Sequence, residues 1–223
     1  MNKAEEFDEI ASQVFAPIYP VLVKQILLRT RVKKGACLDL GCGGGHLGLA
    51  LAEISKCDIT LYDISREALD LAKKRIKEKK LGDRVEVVCG NVHQMPFPDE
   101  SFKLIISRGS LWFWDDHVTA FREIYRVLAP GGEVYIGGGF GTKQLREKII
   151  NIMNRRENGN WEDRIKSYRK NHTPESIKKT IENLGITGCQ VIDDESGTWF
   201  HFKKPETLMS EHKERMELRG LLR

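Results

Sequence analysis

The chain has 223 residues, 40% hydrophobic and 30% charged, with a formal net charge of +4. That balance fits a soluble fold with a full core and excludes collagen-like, disordered and disulfide-stapled chains. No apolar run approaches the ~18 residues that span a bilayer, the acidic start MNKAEEFDEI does not read as a signal peptide, and so small a charge does not by itself point to nucleic acid. A single cytoplasmic domain is expected. The five cysteines at 37, 42, 57, 89 and 189 contain no C-x-x-C pair, so neither a zinc ribbon nor a redox dithiol is expected.

In chain order, residues 5–30 read as helices carrying Phe7, Phe15 and Tyr19, interrupted by Pro17 and Pro20. ACLDL (36–40) is a short apolar strand that runs into glycines. HLGLALAEI (46–54) has helical spacing, with Leu47, Leu51 and Ile54 on one side. DITLYDI (58–64) is a second strand. A helix over 65–82 starts at the N-cap Ser65 and stops at Gly82. RVEVVCG (84–90) and Phe102 to Ser107 are further strands. HVTAFREIYRVLAPGG is a helix stopped by Pro130 and two glycines, with Asp115 as its cap, and EVYIGGG is the fifth strand. Five strand–helix alternations predict a largely parallel sheet with helices on both faces.

After Phe140 the pattern changes. Residues 143–172 are helical and polar, with nine Lys or Arg against four Asp or Glu. Thr173, Pro174 and Gly185 bracket a well-signalled helix. Runs 188–193 and 198–203 read as a hairpin around Ser196-Gly197, and a charged tail follows Pro205.

The stretch Gly41 to Gly45, all glycine but for Cys42, asks what lies against a backbone stripped of side chains. It joins a strand to a helix start, whose free N–H groups and partial positive charge favour an anion or dipole. Two registers compete. Gly43-x-Gly45-x-x-Gly48 formally matches the dinucleotide fingerprint, but that pattern needs its first glycine at the strand end. Gly41 holds that place, and His46 stands where its third glycine would be, so Gly41-x-Gly43-x-Gly45 is the better register. Asp39, inside the apolar run, either accepts from the turn's own N–H groups or meets a ligand's ammonium group. Asp63 ends the second strand, 22 residues after Gly41. It is placed to accept both hydroxyls of a ribose, or to cap the next helix together with Ser65.

The segments LDLGCGGG, LYDIS, GNVHQMPFPDESFKLIISRGSLWFW and EIYRVLAPGGEVYIGG, in that order over roughly residues 36–139, resemble the successive motifs of class I S-adenosylmethionine-dependent methyltransferases, in particular the ubiquinone/menaquinone type. The segment FDEIASQVFAPIYP is similar to the lid that precedes that core, without the family's frequent Tyr-Asp pair. The resemblance implies a Rossmann-like α/β fold: a seven-stranded, mostly parallel sheet with an antiparallel C-terminal hairpin. It implies S-adenosyl-L-methionine as cofactor and S-adenosyl-L-homocysteine as product. By the same resemblance, Gly41, Cys42 and Gly43 line the methionine part, beside Asp39, and Asp63 takes the ribose. Ile64, Asn91 and Val92 surround the adenine, while Ser107 and Arg108 lie beside the sulfonium. Asn stands at 91 where the family commonly has Asp, and Arg108 is unusual for its position. Arg108 is placed to reach the cofactor carboxylate or a substrate anion, or is a surface Arg at a strand end.

Methyl transfer needs an aligned nucleophile and a dry site. No obligatory catalytic residue is expected, and His46, His93, Asp115, Asp116 and His117 remain candidates without a role. Trp112, Phe113 and Trp114 load a post-strand loop with rings. With Tyr19 they are the expected substrate pocket, or they pack helix against sheet. Residues 5–20 and 143–172 are the expected lid, carrying Phe15, Tyr19, Trp161 and Tyr168. The lid's basic excess tilts the acceptor toward a carboxylate or phosphate. A small-molecule acceptor is expected, with no bound metal and nucleic acid disfavoured. An RNA- or protein-directed methyltransferase and a non-catalytic cofactor-binding regulator are the alternatives. The acceptor atom and the oligomeric state stay open.

Overall fold

In the computed structural model, which describes residues 2–206 apart from Asn171 and the side chains of Tyr168 and Arg169, strand and helix alternate from Lys34 to Gly139 except that no helix lies between Cys89 and Phe102. Two N-terminal helices come first, α1 (Lys3–Gln13) and α2 (Tyr19–Thr30), joined by a 3-10 turn at Ala16–Ile18. Then follow β1 (Lys34–Leu40), α3 (His46–Ile54), β2 (Lys56–Asp63), α4 (Arg66–Glu78), β3 (Val85–Cys89) and β4 (Phe102–Arg108). A 3-10 turn at Ser110–Phe113 leads to α5 (His117–Val127) and β5 (Leu128–Gly139). The chain closes with α6 (Lys143–Arg156), α7 (Trp161–Arg169), α8 (Pro174–Asn183), β6 (Gln190–Asp194) and β7 (Gly197–Lys203). The charged tail beyond 206 lies outside the described residues.

Local chemistry sets the boundaries. Ser65 accepts from Ala68 N–H at 3.1 Å and starts α4, and Thr173 accepts from Ser176 N–H at 3.2 Å and starts α8. The cap of α5 is Asp116, not Asp115: its Oδ1 accepts from Thr119 N–H at 3.0 Å. That helix stops at Val127, three residues before Pro130, and Leu128 is already extended. Proline disfavours helical backbone in the residue before it, so LAPGG belongs to β5, whose pairing with β4 shifts register between Phe102 and Leu104. The hairpin runs 190–194 and 197–203 rather than 188–193 and 198–203.

The sheet order is β3-β2-β1-β4-β5-β7-β6. Strands β1 to β5 pair parallel with one another, whereas β7 pairs antiparallel with both β5 and β6. The order reverses between β1 and β4, and the crevice at the C-terminal ends of strands at such a switch point is where open α/β sheets take ligands. Alternation along the strands gives two cores. On one face Cys37, Ile59, Leu61, Leu104, Ile106, Tyr135 and Trp199 pack with α1, α2, α3, α6 and Trp161. On the other Leu38, Leu40, Ile105, Val134 and Phe200 pack with α5 and α8. No single helix among the described residues is long and apolar enough to cross a membrane.

Candidate cofactor and acceptor site

The glycines of the loop after β1 differ in what approaches them. A Cβ on Gly41 would collide with Ser110 Cβ, so Gly41 makes room for the turn after β4. A Cβ on Gly44 would collide with Asp8 of α1. Gly45 is covered by Leu61, with Cδ1 at 2.7 Å from where its Cβ would lie. At Gly43 a Cβ would meet nothing within 4 Å, and the backbone sits at φ +53°. Three glycines of the loop therefore accommodate protein, and Gly43 is the one that leaves a bare backbone facing open space.

Two carboxylates fix this loop. Asp63 Oδ2 accepts from Gly43 N–H at 2.8 Å and Oδ1 accepts from Ser65 N–H at 2.9 Å. Each oxygen keeps lone-pair capacity for a further donor. Asp39 is buried, and its Oδ2 accepts from Gly48 N–H at 2.8 Å. The N-cap of α3 is Gly45, which has no side chain to cap with, so Asp39 does that work from the neighbouring strand. Burial pushes its pKa up to about 7, opposed by the Gly48 bond and reinforced by the charge of Asp63. Oδ1 of Asp39 makes no hydrogen bond among the described residues.

Around Asp63 the adenine-side candidates form a rim. Ile64 is 70% exposed, an unusual state for a large apolar side chain. Asn91 is exposed and its Oδ1 accepts from His93 N–H at 2.9 Å, while Val92 is half-buried. Tyr62 donates to Asn91 O at 3.0 Å and fills the space that a side chain at Gly90 would need.

On the β4 side, Ser107 is fully buried and its hydroxyl shares a 2.6 Å hydrogen bond with Ser110, whose Oγ also donates to Leu40 O at 3.2 Å. Arg108 is half-buried. Its Nε donates to Gly139 O at 3.3 Å, and its guanidinium carbon lies 4.5 Å from the Phe15 ring centroid and 5.6 Å from that of Phe140. Trp112 Nε1 lies 3.2 Å from where a Cβ on Gly138 would be, so that glycine makes room for the indole. Phe113 is 58% exposed. Trp114 is buried against Phe121, with ring centroids 5.9 Å apart, so it supports the turn from the core side.

The first of the two segments expected to form a lid packs on the glycine loop through Asp8. Asp8 forms an ion pair with Arg75 of α4 and accepts from or shares a proton with His46 Nε2 at 3.0 Å, while Arg75 Nη1 donates to Gly44 O at 3.0 Å. Burial alone raises the Asp8 pKa, but Arg75 and His46 outweigh it and hold the carboxyl below its ordinary value. Burial lowers the His46 pKa, helped by the Arg75 charge. Tyr19 stacks on His46 at 5.2 Å, and its pKa is raised by burial although the Arg108 charge opposes this. Its hydroxyl has no hydrogen-bond partner among the described residues. Trp161 is buried against Phe140 at 6.0 Å, which pins α7. Every Lys and Arg of 143–172 whose side chain is described is exposed. Tyr168 lies outside the described side chains. Among the described residues no group of three or more His, Cys, Asp or Glu is placed to hold a metal.

A methyltransferase-domain family matches residues 38–136. The solved structure of a candidate S-adenosyl-L-methionine-dependent methyltransferase from Methanococcus maripaludis is 39% identical, covers 92% of this chain and 93% of its own, and superposes with a TM-score of 0.87. The chain belongs to the S-adenosylmethionine-dependent methyltransferases. Curated relatives of this family member include a demethylmenaquinone methyltransferase of Listeria welshimeri, 31% identical over 131 residues, 57% of this chain and 55% of that protein. Another is a malonyl-[acyl-carrier protein] O-methyltransferase of Halorhodospira halophila, 33% identical over 153 residues, 65% of this chain and 47% of that protein. The chain thus spans about half the length of the curated relatives it matches.

Sequence reasoning missed Asp8, Arg75, Ser110 and Phe140. Asp8 and Arg75 are 67 residues apart, and nothing in either local pattern signals the pairing. Ser110 was legible only as a small residue after a strand. The signal for it was Gly41 itself, whose missing side chain needed a reason.

Proposed function

We propose that this family member transfers the methyl group of S-adenosyl-L-methionine to a small-molecule acceptor and releases S-adenosyl-L-homocysteine. The observation that carries the reading is the bare backbone of Gly43 held against Asp63 at the sheet's switch point. The names of the curated relatives, with demethylmenaquinone and a carrier-bound malonyl group as acceptors, support an acceptor of metabolic size.

The residues fit the cofactor. Gly41, Cys42 and Gly43 would lie along its methionine part, with Asp39 Oδ1 turned to the ammonium group. Asp63 would take the ribose hydroxyls on its remaining lone pairs. Ile64 and Val92 would cover the adenine, which accounts for the exposure of Ile64. Asn91 would accept from the adenine amine. Ser107, through Ser110, holds the turn that closes the site.

When bound, S-adenosyl-L-methionine supplies a methyl group already activated on a sulfonium. The protein's part is then alignment and exclusion of water. Tyr19, Trp112 and Phe113 supply walls, and the Asp8–Arg75 ion pair holds α1 over the loop. No described group is assigned as a general base.

Incubation with methyl-labelled S-adenosyl-L-methionine and a fractionated metabolite extract tests this reading. Protein-dependent label in a small molecule, lost in Asp63→Ala, is the expected result. Label appearing only in RNA or protein would reject the small-molecule acceptor.

A further inference from the structure

One cation stands among aromatic rings at the end of a central strand, Arg108. This side chain leaves the C-terminal end of β4, one residue after Ser107 and directly before Gly109, where an added Cβ would meet nothing within 4 Å. Its guanidinium lies against the rings of Phe15, from the first lid segment, and Phe140, from the chain leaving β5. Nε is fixed on Gly139 O. Two ring faces and one carbonyl are among the contacts that orient this planar cation. Ring faces stabilise the cation and shield it from water, and a shielded guanidinium binds carboxylate or phosphate oxygens more strongly than an exposed one.

We propose that Arg108 is the specificity-determining residue for the acceptor, and that the acceptor carries a carboxylate or phosphate. This rests on the methyl-transfer reading above. The cofactor also has a carboxylate, but its methionine end belongs over Gly43, beside the N-terminus of α3. There the helix end favours negative charge, the N–H groups of Gly41, Cys42, Gly43 and Gly45 being already bonded within the protein. Arg108 stands on the other strand of the switch point, on the side of Phe15 and Phe140. The same rings offer an apolar wall to the rest of the acceptor.

The test uses the full chain, Arg108→Gln and Arg108→Lys. S-adenosyl-L-homocysteine and methylthioadenosine, which lacks the amino-acid part, are titrated calorimetrically. Benzoate, phenyl phosphate and benzamide are then titrated into protein saturated with S-adenosyl-L-homocysteine and followed by ligand-observed NMR. The expected result is that the two anions bind at least about fivefold more tightly than benzamide, the scale of a charge-assisted bond in a shielded site. Arg108→Gln should abolish that preference, Arg108→Lys should keep part of it, and affinity for S-adenosyl-L-homocysteine should stay within about twofold. Unchanged cofactor binding also shows that the variants fold.

Equal binding of benzoate and benzamide to wild type, or binding of neither, would overturn the proposal. So would an Arg108→Gln variant that loses S-adenosyl-L-homocysteine but keeps methylthioadenosine, because Arg108 would then serve the cofactor carboxylate. Wild type that fails to bind S-adenosyl-L-homocysteine would instead reject the methyl-transfer reading itself.

Discussion

Gly43 and Asp63 are hydrogen-bonded across 20 positions of sequence, with the Gly43 N–H donating to Asp63 Oδ2 at 2.8 Å. The bond ties the glycine loop of β1 to the end of β2 before any ligand arrives. It gives Asp63 a fixed orientation, so little side-chain freedom remains to be lost on binding.

Asp63→Ala should therefore weaken S-adenosyl-L-homocysteine binding by about 1.5–3 kcal/mol, the scale of lost charge-assisted hydrogen bonds. Calorimetry checks it. Wild-type affinity in a folded Asp63→Ala protein would remove the ribose role.

Gly41→Ala and Gly43→Ala should fail differently. Gly41→Ala collides with Ser110 and should cost about 1–3 kcal/mol of stability, the overpacking scale. Ser110→Gly should recover part of that loss in the double variant. Gly43→Ala meets no neighbour and should lose only about 1–2 kcal/mol to its left-handed backbone, yet should abolish cofactor binding. Urea unfolding and calorimetry on the same samples separate the two effects.

Asp8→Asn should loosen the lid. Asp8 has a folded pKa below its unfolded one, so its stabilisation is full above the unfolded value near 4 and is lost as pH falls through the folded value. The variant should be about 1–3 kcal/mol less stable at pH 7, and the gap to wild type should close in acid. Hydrogen exchange should show faster exchange in residues 3–13. Unchanged protection there would mean that the ion pair does not hold α1.

Much of the fold was legible because strands and helices here carry their own signals: alternation in β2, caps at Ser65 and Thr173, glycines where β1 ends. That the candidate cofactor residues stand at strand ends was legible for the same reason, whereas a role for Ile64, Asn91, Val92, Ser107 and Arg108 came from the family resemblance. What sequence could not supply was contact between distant segments. Asp8 on Arg75, Ser110 on Gly41 and Phe15 on Arg108 each join parts of the chain that no local pattern relates. Trp112, Phe113 and Trp114 show the limit within a single motif. They are adjacent in sequence, yet the 3-10 turn sends Trp112 over Gly138, Phe113 to solvent and Trp114 into the core. The basic count of 143–172 gives a charge excess but not its direction, because composition does not say which face of a helix carries charge.

Asp39 should make cofactor binding pH-dependent. Its pKa is raised to about 7 in the fold, so between about pH 4, its unfolded value, and pH 7 the native state holds a proton that the unfolded state has released. Stability from this group falls as pH rises through that window. An ammonium group placed beside Oδ1 favours the carboxylate, so cofactor binding near pH 6 should release a proton. Binding enthalpies in buffers of different ionisation heat should differ in wild type and agree in Asp39→Asn. Agreement in wild type would mean that Asp39 does not sense the ligand.

The most direct measurement is calorimetric titration of the full chain with S-adenosyl-L-methionine, S-adenosyl-L-homocysteine and NAD, each against wild type and Gly43→Ala. The account predicts one saturable site for each of the two sulfur compounds, lost in Gly43→Ala, and no heat from NAD. Saturable NAD binding with no response to either sulfur compound would contradict it.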